Sequence, residues 1–284
     1  MLLRAQGYKF RFLELSIYRL HSYTIGYLTP TAQLGGEPLR IYHLRERNVP
    51  LKHAVASVVI DRIMEHATTT VFIISGFLVL LAKGLLQGDD IFFVGIVLAM
   101  ISVLLLYFYL TTVYNKGPLS SIIQLLRLHR FEAINNSISR IEEVEETLHF
   151  YFTKHRLTMV YCVAVSIVYF LLIIFEYWML MYFFGVTITF TQALILATLP
   201  MLGYMLPIPG GLGALEGLQL TTFAATHLPE ALALPLIMTV RLKDLVFLFA
   251  GMISISAHGW GILKSVRAEK AIETEIKRDE VEMI

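Results

Sequence analysis

From Ile91 to Val113 the chain runs without one charged side chain, and that stretch alone rules out most folds. A spanning helix needs roughly 20 apolar residues, and in hydrocarbon only helices and closed barrels satisfy their own backbone. Leu157–Phe175 is equally clean, and stays apolar to Phe184 apart from Glu176. Two further apolar runs carry charges: Ala54–Ala82 holds Asp61, Arg62, Glu65 and His66, and Ala231–Trp260 holds Arg241, Lys243, Asp244 and His258. With 56% apolar and 16% charged residues, the sequence predicts an all-α polytopic membrane protein, a single membrane domain over residues 1–284.

Superposed on these runs is a faint internal repeat. Pro30, Glu37, Pro50 and Arg62 recur 179 positions later as Pro209, Glu216, Pro229 and Arg241, and Glu65 recurs as Asp244. Few other positions match, and chance register between two helical hairpins is the plain alternative. Proline and charge at corresponding places in apolar segments are, however, the sequence mark of many transporters. On this reading residues 11–82 form a first repeat and 157–262 a second. Residues 91–156 hold a linking span and amphipathic helices, and 263–284 form a tail. Leu157–Phe184 shifted back by the same offset falls mostly before Met1, so the first copy is expected to lack its leading helix.

Lysine and arginine placement sets the expected orientation. Arg40, Arg45, Arg47 and Lys52 cluster in one connection, a long loop over 114–156 holds six more, and the tail holds five. The connections over 83–90 and 185–190 have one lysine and none. The positive-inside rule then places both termini in the cytoplasm of a cell-membrane protein. Three crossings separate the two copies, so the second enters from the opposite face: an inverted-topology pair. Returning the tail to the cytoplasm requires Phe190–Leu228 to cross an even number of times. A broken, re-entrant hairpin interrupted at Pro207-Ile-Pro209-Gly210-Gly211-Leu-Gly213 meets that count.

Ionisable groups inside spans mark a pathway or a binding site unless they are paired. Arg62 has Glu65 three residues on, and Arg241 has Asp244 at the same spacing, so each could be neutralised within its own helix. The other reading is that Arg62 and Arg241 face a shared cavity and take a lipid phosphate, whose oxygens suit the planar guanidinium fork. Glu37 and Glu216 would then orient the arginines or bind a cationic headgroup. Gly210, Gly211 and Gly213 could cradle an anion on free N–H groups at a helix start. Gly213 and Gly217 could equally form a GxxxG that merely permits close packing.

Elsewhere the sequence excludes chemistry. A single cysteine, Cys162, allows neither an internal disulfide nor a cysteine-based metal site. The nine histidines show no HExxH or comparable ligand spacing, so no metal or other cofactor is expected. The glycines do not make a dinucleotide fingerprint, and a net charge of +1 does not point to nucleic acid. Met1–Phe12 leads into Glu14, Arg19 and His21 and is not a cleavable signal peptide. Residues 119–150 read as an amphipathic helix pair, with Ile138, Ile141, Val144 and Leu148 on its apolar side and Glu142, Glu143, Glu145 and Glu146 on a solvated one. Tyr177, Trp178, Tyr182 and Trp260 fit an aromatic belt at span ends.

The segment Pro30 to Arg40, with Gly35, Gly36 and Glu37 inside it and Asp61-Arg62 after it, resembles the first signature of the lysylphosphatidylglycerol synthase transmembrane family, also called flippase-like domain proteins. Pro209-Gly210-Gly211-Leu-Gly213-Ala-Leu-Glu216, followed by Arg241, resembles the second. The resemblance runs from about residue 10 to residue 262. It implies a membrane-embedded translocase for aminoacylated phospholipids or for related phosphate-linked and isoprenoid lipids. Together with the reading of the charges and the glycine-rich turn, the expected substrate-binding residues are Glu37, Arg40, Arg62, Glu65, Pro209, Gly210, Gly211, Gly213, Glu216, Arg241 and Asp244. The chain ends at Ile284, shortly after Trp260, so the soluble transferase activity of bifunctional members is not expected. Membrane lipids are the expected partners, with a lipid-modifying synthase or glycosyltransferase beside them, and an oligomer stays open. Two alternatives remain: a small-solute or ion transporter of the same inverted design, and a membrane-embedded lipid aminoacyl- or glycosyl-transferase using Glu37 or Glu216 as base.

Overall fold

The computed structural model describes residues 2–84, 88–114, 117, 118, 120, 123 and 138–282; for 88–91, 93, 94, 140 and 260–282 it describes the backbone alone. All regular structure among the described residues is helical. A short α1 (Leu2–Ala5) precedes α2 (Phe12–Leu28), α3 (Glu37–Glu46) and α4 (Leu51–Ala82). After α5 (Gly88–Val113) come α6 (Ile138–Lys154) and α7 (Arg156–Phe183). The remainder is α8 (Phe190–Thr198), α9 (Met201–Tyr204), a 3-10 turn at Pro209–Gly211, α10 (Ala214–Ala225), a second 3-10 turn at Glu230–Leu232, and α11 (Ala233–Glu282).

Three helices are long and apolar enough to cross a membrane: Leu51–Ala82, Gly95–Val113 and Arg156–Phe183. They coincide with three of the four expected runs; the fourth, Ala231–Trp260, lies within α11 and is not among them. The threonines at the middle of α4 are compatible with hydrocarbon because each bonds back into its own helix: Thr68, Thr69 and Thr70 donate to the carbonyls of Met64, Glu65 and His66, each at 2.8 Å. α11 runs unbroken through Arg241, Lys243 and Asp244 to Glu282.

The stretches 179 residues apart form the same succession of elements. α3 and α10 end alike. Asn48 (φ +60°) and His227 (φ +53°) adopt the left-handed conformation just past each helix. Val49 N–H donates to Leu44 and Asn48 N–H to Arg45, while Leu228 N–H donates to Phe223 and His227 N–H to Ala224. Both are Schellman caps, closed by the buried apolar pairs Val49/Leu44 and Leu228/Phe223. Pro50 and Pro229 follow and turn the chain into α4 and α11. Their starts also share a device, an acid in the first turn of each, Glu37 in α3 and Glu216 in α10, where it complements the helix dipole.

Packing joins the halves. α2 lies along α11, with no room at the crossing: a Cβ on Gly251 would sit 1.8 Å from Thr24 Oγ1. One core gathers Ile174 and Met181 of α7, Leu196 and Ala197 of α8, Phe223 of α10 and Leu236 of α11. Another seats Val144, Leu148 and Tyr151 of α6 against Ala56 and Ile60 of α4.

Two expectations are corrected. Glu145 is not on a solvated face: it is buried, and accepts from the Ser120 backbone N–H at 3.0 Å and from the Ser120 hydroxyl. Tyr177 is a core residue rather than part of a belt, whereas Trp178 and Tyr182 are exposed near the end of α7 and stack in series. The side chain of Trp260 and most of the first half of the expected 119–150 helix pair lie outside the described residues.

Candidate functional site

The two matched glutamate–arginine pairs form, each across 25 residues. Arg62 of α4 donates through Nε to Glu37 Oε1 at the start of α3, and its Nη1 donates to Glu65 Oε2 at 2.9 Å. Arg241 of α11 donates through Nε to Glu216 Oε1 at 2.6 Å, and its Nη1 lies 3.6 Å from Asp244 Oδ2. The same three-residue core, acid, arginine and second acid, is thus built twice.

The first cluster is larger. Arg19 of α2 donates to Asp61 Oδ2 and to Glu65 Oε2, each at 2.5 Å, and Arg40 of α3 donates to the same Asp61 oxygen at 2.6 Å. Three arginines (19, 40, 62) face three carboxylates (37, 61, 65), so the cluster is neutral. Ser22 also donates to Glu37 Oε1, at 3.0 Å. The other oxygen of Glu37 is buried without a hydrogen-bond partner; Arg40 Nη1, 3.7 Å away, gives it an ion pair but no hydrogen bond. At the repeat offset Arg19, Arg40 and Asp61 correspond to Thr198, Gln219 and Val240, so the second cluster has lost all three charges.

In their place the second cluster uses tyrosines. Tyr23 of α2 and Tyr204 of α9 donate to the two Asp244 oxygens at 3.1 and 2.6 Å. Arg241 Nη1 donates to Tyr27 at 3.0 Å and to the carbonyl of Gly210 at 2.7 Å, and Nη2 donates to the carbonyl of Gly211 at 3.3 Å. Nearby, Lys243 of α11 pairs with Glu176 of α7 at 2.6 Å.

The glycine-rich turn points its carbonyls, not free N–H groups, at the site. Gly213 N–H donates to Glu216 Oε2 at 2.7 Å, and Gly211 N–H to the carbonyl of Ile208, while the N–H of Leu212 returns to Pro209. Close approach occurs at Gly210, where a Cβ would stand 2.7 Å from the Tyr27 ring, and at Gly211, 2.9 Å from the Gly203 carbonyl oxygen. Added carbon at Gly213 or Gly217 would meet nothing within 4 Å, so these two do not act as a packing GxxxG. Gly213, at φ +80°, instead supplies the left-handed turn into α10.

Accessibility separates the arginines. Arg62 and Arg241 have side chains 12% and 15% exposed, whereas Arg19 and Asp61 are 38% and 36% exposed. Protein atoms nevertheless surround Arg19 and Asp61 on most sides. Within the first cluster they are the most accessible pair. Tyr169 of α7 is within electrostatic reach of Glu65 and Arg19 of the first cluster and of Glu176 and Asp244 at the second. A cavity of about 500 Å³, bounded by Lys83, Gln192, Ile195, Thr226 and His227, lies elsewhere and holds none of this charge network.

Sequence reasoning therefore paired the correct residues but missed Arg19, Tyr23, Tyr27 and Tyr204. Asp61 was visible beside Arg62, yet its two arginine partners come from α2 and α3.

Comparison with known proteins bears on the same span of chain. A UPF0104 membrane protein of Methanocaldococcus jannaschii is 23% identical over 257 residues, covering 86% of this chain and 74% of that one. A UPF0104 membrane protein of Methanothermobacter thermautotrophicus is 24% identical over 214 residues, 70% of this chain and 62% of its own. One from Pyrococcus horikoshii is 29% identical over 235 residues, 76% of this chain and 68% of its own. No solved structure matches the chain significantly. The profile of the family described as lysylphosphatidylglycerol synthase TM region matches residues 1–251. Spanning nearly all of the helices and both charge clusters, that match establishes that the chain belongs to the lysylphosphatidylglycerol synthase TM region family.

Proposed function

We propose that the protein is a lipid translocase, a flippase or scramblase. Its substrate would be a phospholipid, an aminoacylated phospholipid or a polyprenyl-phosphate-linked lipid. One observation carries this reading: Arg19 and Asp61 stay over a third exposed although Asp61 lies ten residues inside a 32-residue apolar helix. The 21 residues of α4 after Asp61, about 32 Å of helix, are enough to cross the hydrocarbon core, so Asp61 stands toward the end at which α4 enters the membrane. Paired charge that stays accessible there is read as the mouth of a cleft that water or a headgroup fills.

Within the cleft the groups divide by availability. Arg19 and Arg40 offer N–H donors to a lipid phosphate, while Glu37, buried, stays with the arginines. Arg62, Glu65, Glu216, Arg241 and Asp244 hold the frame around them, and Pro209, Gly210, Gly211 and Gly213 shape its second wall. The acyl chains would stay in the bilayer, against apolar faces such as Leu242, Val246, Phe249 and Ile253 of α11, all more than half exposed. A synthase or glycosyltransferase that makes the lipid is the partner this activity needs.

The inverted arrangement of the two repeats also belongs to this reading. α4 is about 48 Å long. The Asn48 cap precedes its first residue, while Lys83, at its other end, shares a cleft with Thr226 and His227 of the second cap. The two matching caps thus sit at opposite ends of one spanning helix. Arg45, Arg47 and Lys52 flank the first, and no lysine or arginine lies in 226–232, a bias that favours opposite membrane faces.

The test is translocation in proteoliposomes with labelled phosphatidylglycerol, lysyl-phosphatidylglycerol and polyprenyl phosphate. Movement above protein-free liposomes is expected for at least one of them, reduced at least tenfold by Arg19→Ala without loss of the monodisperse protein. Movement unaffected by Arg19→Ala and Arg40→Ala would place the pathway outside this cleft. No movement of any lipid would discard the translocase reading in favour of a small-solute transporter.

A further inference from the structure

A second polar cluster stands apart from the charge network and is built from imidazoles. His43, near the end of α3, and Glu46, one turn on, meet His258 of α11. Nδ1 of His43 lies 3.1 Å and Nε2 of His258 3.3 Å from the same Glu46 oxygen, Oε2. All three candidate ligand atoms fall within 4.8 Å of one another. Donors bound at 2.0–2.1 Å around a tetrahedral ion stand about 3.3 Å apart, so two of the three edges already have that length. His258, 39% exposed, has the freedom to close the third.

The surroundings orient the buried ligand. His43 is 3% exposed, with the Tyr18 ring stacked on it at 4.7 Å. Its other nitrogen, Nε2, lies 2.9 Å from Nδ1 of His21, whose own Nε2 lies 2.9 Å from Ser254 Oγ. This chain admits two proton arrangements on the same heavy atoms. In one, Ser254 donates to His21, His21 to His43, and His43 Nδ1–H to Glu46. In the other, His43 Nε2–H donates to His21 and His21 Nε2–H donates to Ser254, which leaves Nδ1 a bare lone pair facing the carboxylate. Two acceptors face to face are stable only with a cation between them. The imidazoles stay neutral in both arrangements, so the exchange needs no net proton loss. A ligating histidine whose far nitrogen donates into a hydrogen-bonded chain is the usual outer support of a metal site.

We propose that His43, Glu46 and His258 bind a divalent cation of the zinc class, through two imidazole nitrogens and one carboxylate oxygen, with water in the remaining position. Two nitrogens and one oxygen suit zinc, cobalt or nickel and do not suit magnesium, which demands oxygen ligands. The ion ties α3 of the first repeat to α11 of the second, and His21 is a positioning residue. The inference is independent of the lipid reading, because none of these residues belongs to the charge network. Sequence spacing could not reveal it, since Glu46 and His258 are 212 residues apart.

The experiment uses the full chain, without an affinity tag, purified in detergent and stripped with a chelator. Zinc is titrated by calorimetry, and cobalt by its visible absorption. One equivalent of each is expected, with visible bands of a low-coordinate cobalt site and an unfolding midpoint that rises with zinc but not with magnesium. Glu46→Gln and His258→Ala should each weaken zinc at least tenfold, while His227→Ala leaves it unchanged. Both altered residues are partly exposed, so the variants should remain monodisperse; if one does not, the other and the cobalt spectrum of the unaltered protein decide. Absence of binding to the unaltered protein, or equal affinity in a folded variant, overturns the proposal.

Discussion

Arg62 and Arg241 hold corresponding places and meet corresponding glutamates, yet their remaining donors go to different partners. Arg241 spends its fork on Glu216, Tyr27 and two backbone carbonyls, which leaves little for a ligand and makes it a structural clasp. Arg241→Ala leaves Glu216 Oε1 and two carbonyls without their arginine donor in a largely buried place. Removing one member of such a pair costs about 3–5 kcal/mol. The expected outcome is a lower unfolding midpoint or loss of the monodisperse peak in detergent. Arg241→Lys should recover little, because one ammonium cannot reach acceptors arranged for a planar fork. Arg19→Ala, in contrast, removes a more exposed partner from two carboxylates that keep Arg40 and Arg62, and should lower the unfolding midpoint less than Arg241→Ala does. Equal loss of stability in both would refute the division of roles. At this scale the sequence made the glutamate–arginine pairs legible, because apolar segments rarely carry charge without reason. It hid Tyr23, Tyr27 and Tyr204, because tyrosine is unremarkable in a membrane helix and its hydroxyl acquires meaning only from what packs beside it.

α2 connects the two clusters. Ser22 donates into the first, and the next residue, Tyr23, donates into the second, so the position of this helix on α11 sets both. That contact depends on Gly251, which faces the Thr24 side chain, and the approach of α3 to α2 depends on Gly36, where a Cβ would fall 1.8 Å from the Ser22 backbone oxygen. The two glycines should behave differently. Gly251→Ala is expected to lower the unfolding midpoint, and Thr24→Ala on top of it to restore part of the loss, because the nearest obstacle is a removable hydroxyl. Gly36→Ala should resist any such rescue, because its obstacle is main chain. Thermal unfolding of the single and double variants distinguishes these outcomes; no rescue at Gly251 would mean that the crossing is not held there. Helix existence and approximate limits were readable from apolar runs and prolines. The break before α10 was readable too, from its dense proline and glycine. What the glycines of that break do was not, since close approach at Gly210 and Gly211 depends on Tyr27 and Gly203, residues brought there by the fold.

For the whole molecule, the reading of two oppositely inserted copies predicts that the Asn48 and His227 caps face opposite sides of the membrane. The chain's one cysteine makes the measurement simple: Cys162→Ala provides a cysteine-free background for Asn48→Cys and His227→Cys, both at helix-ending turns. In sealed, oriented vesicles a membrane-impermeant maleimide should label one of them from outside and the other only after permeabilisation. Labelling of both from the same side would refute the inversion and, with it, the placement of the cleft between the copies. The sequence by itself determined the class of protein, its three clearest apolar spans, the offset of 179 residues and the candidate partners of the two arginines, Glu37 and Glu65 for Arg62 and Glu216 and Asp244 for Arg241. These follow from hydropathy and from the cost of unpaired charge in hydrocarbon, which act residue by residue along the chain. Only the tertiary structure decided that Arg19 and Asp61 are the most accessible charges of the first cluster, that Arg241 is saturated, and that His43, Glu46 and His258 meet. Those outcomes depend on how α2, α3 and α11 pack together, and contacts between residues more than two hundred positions apart leave no local pattern in the sequence.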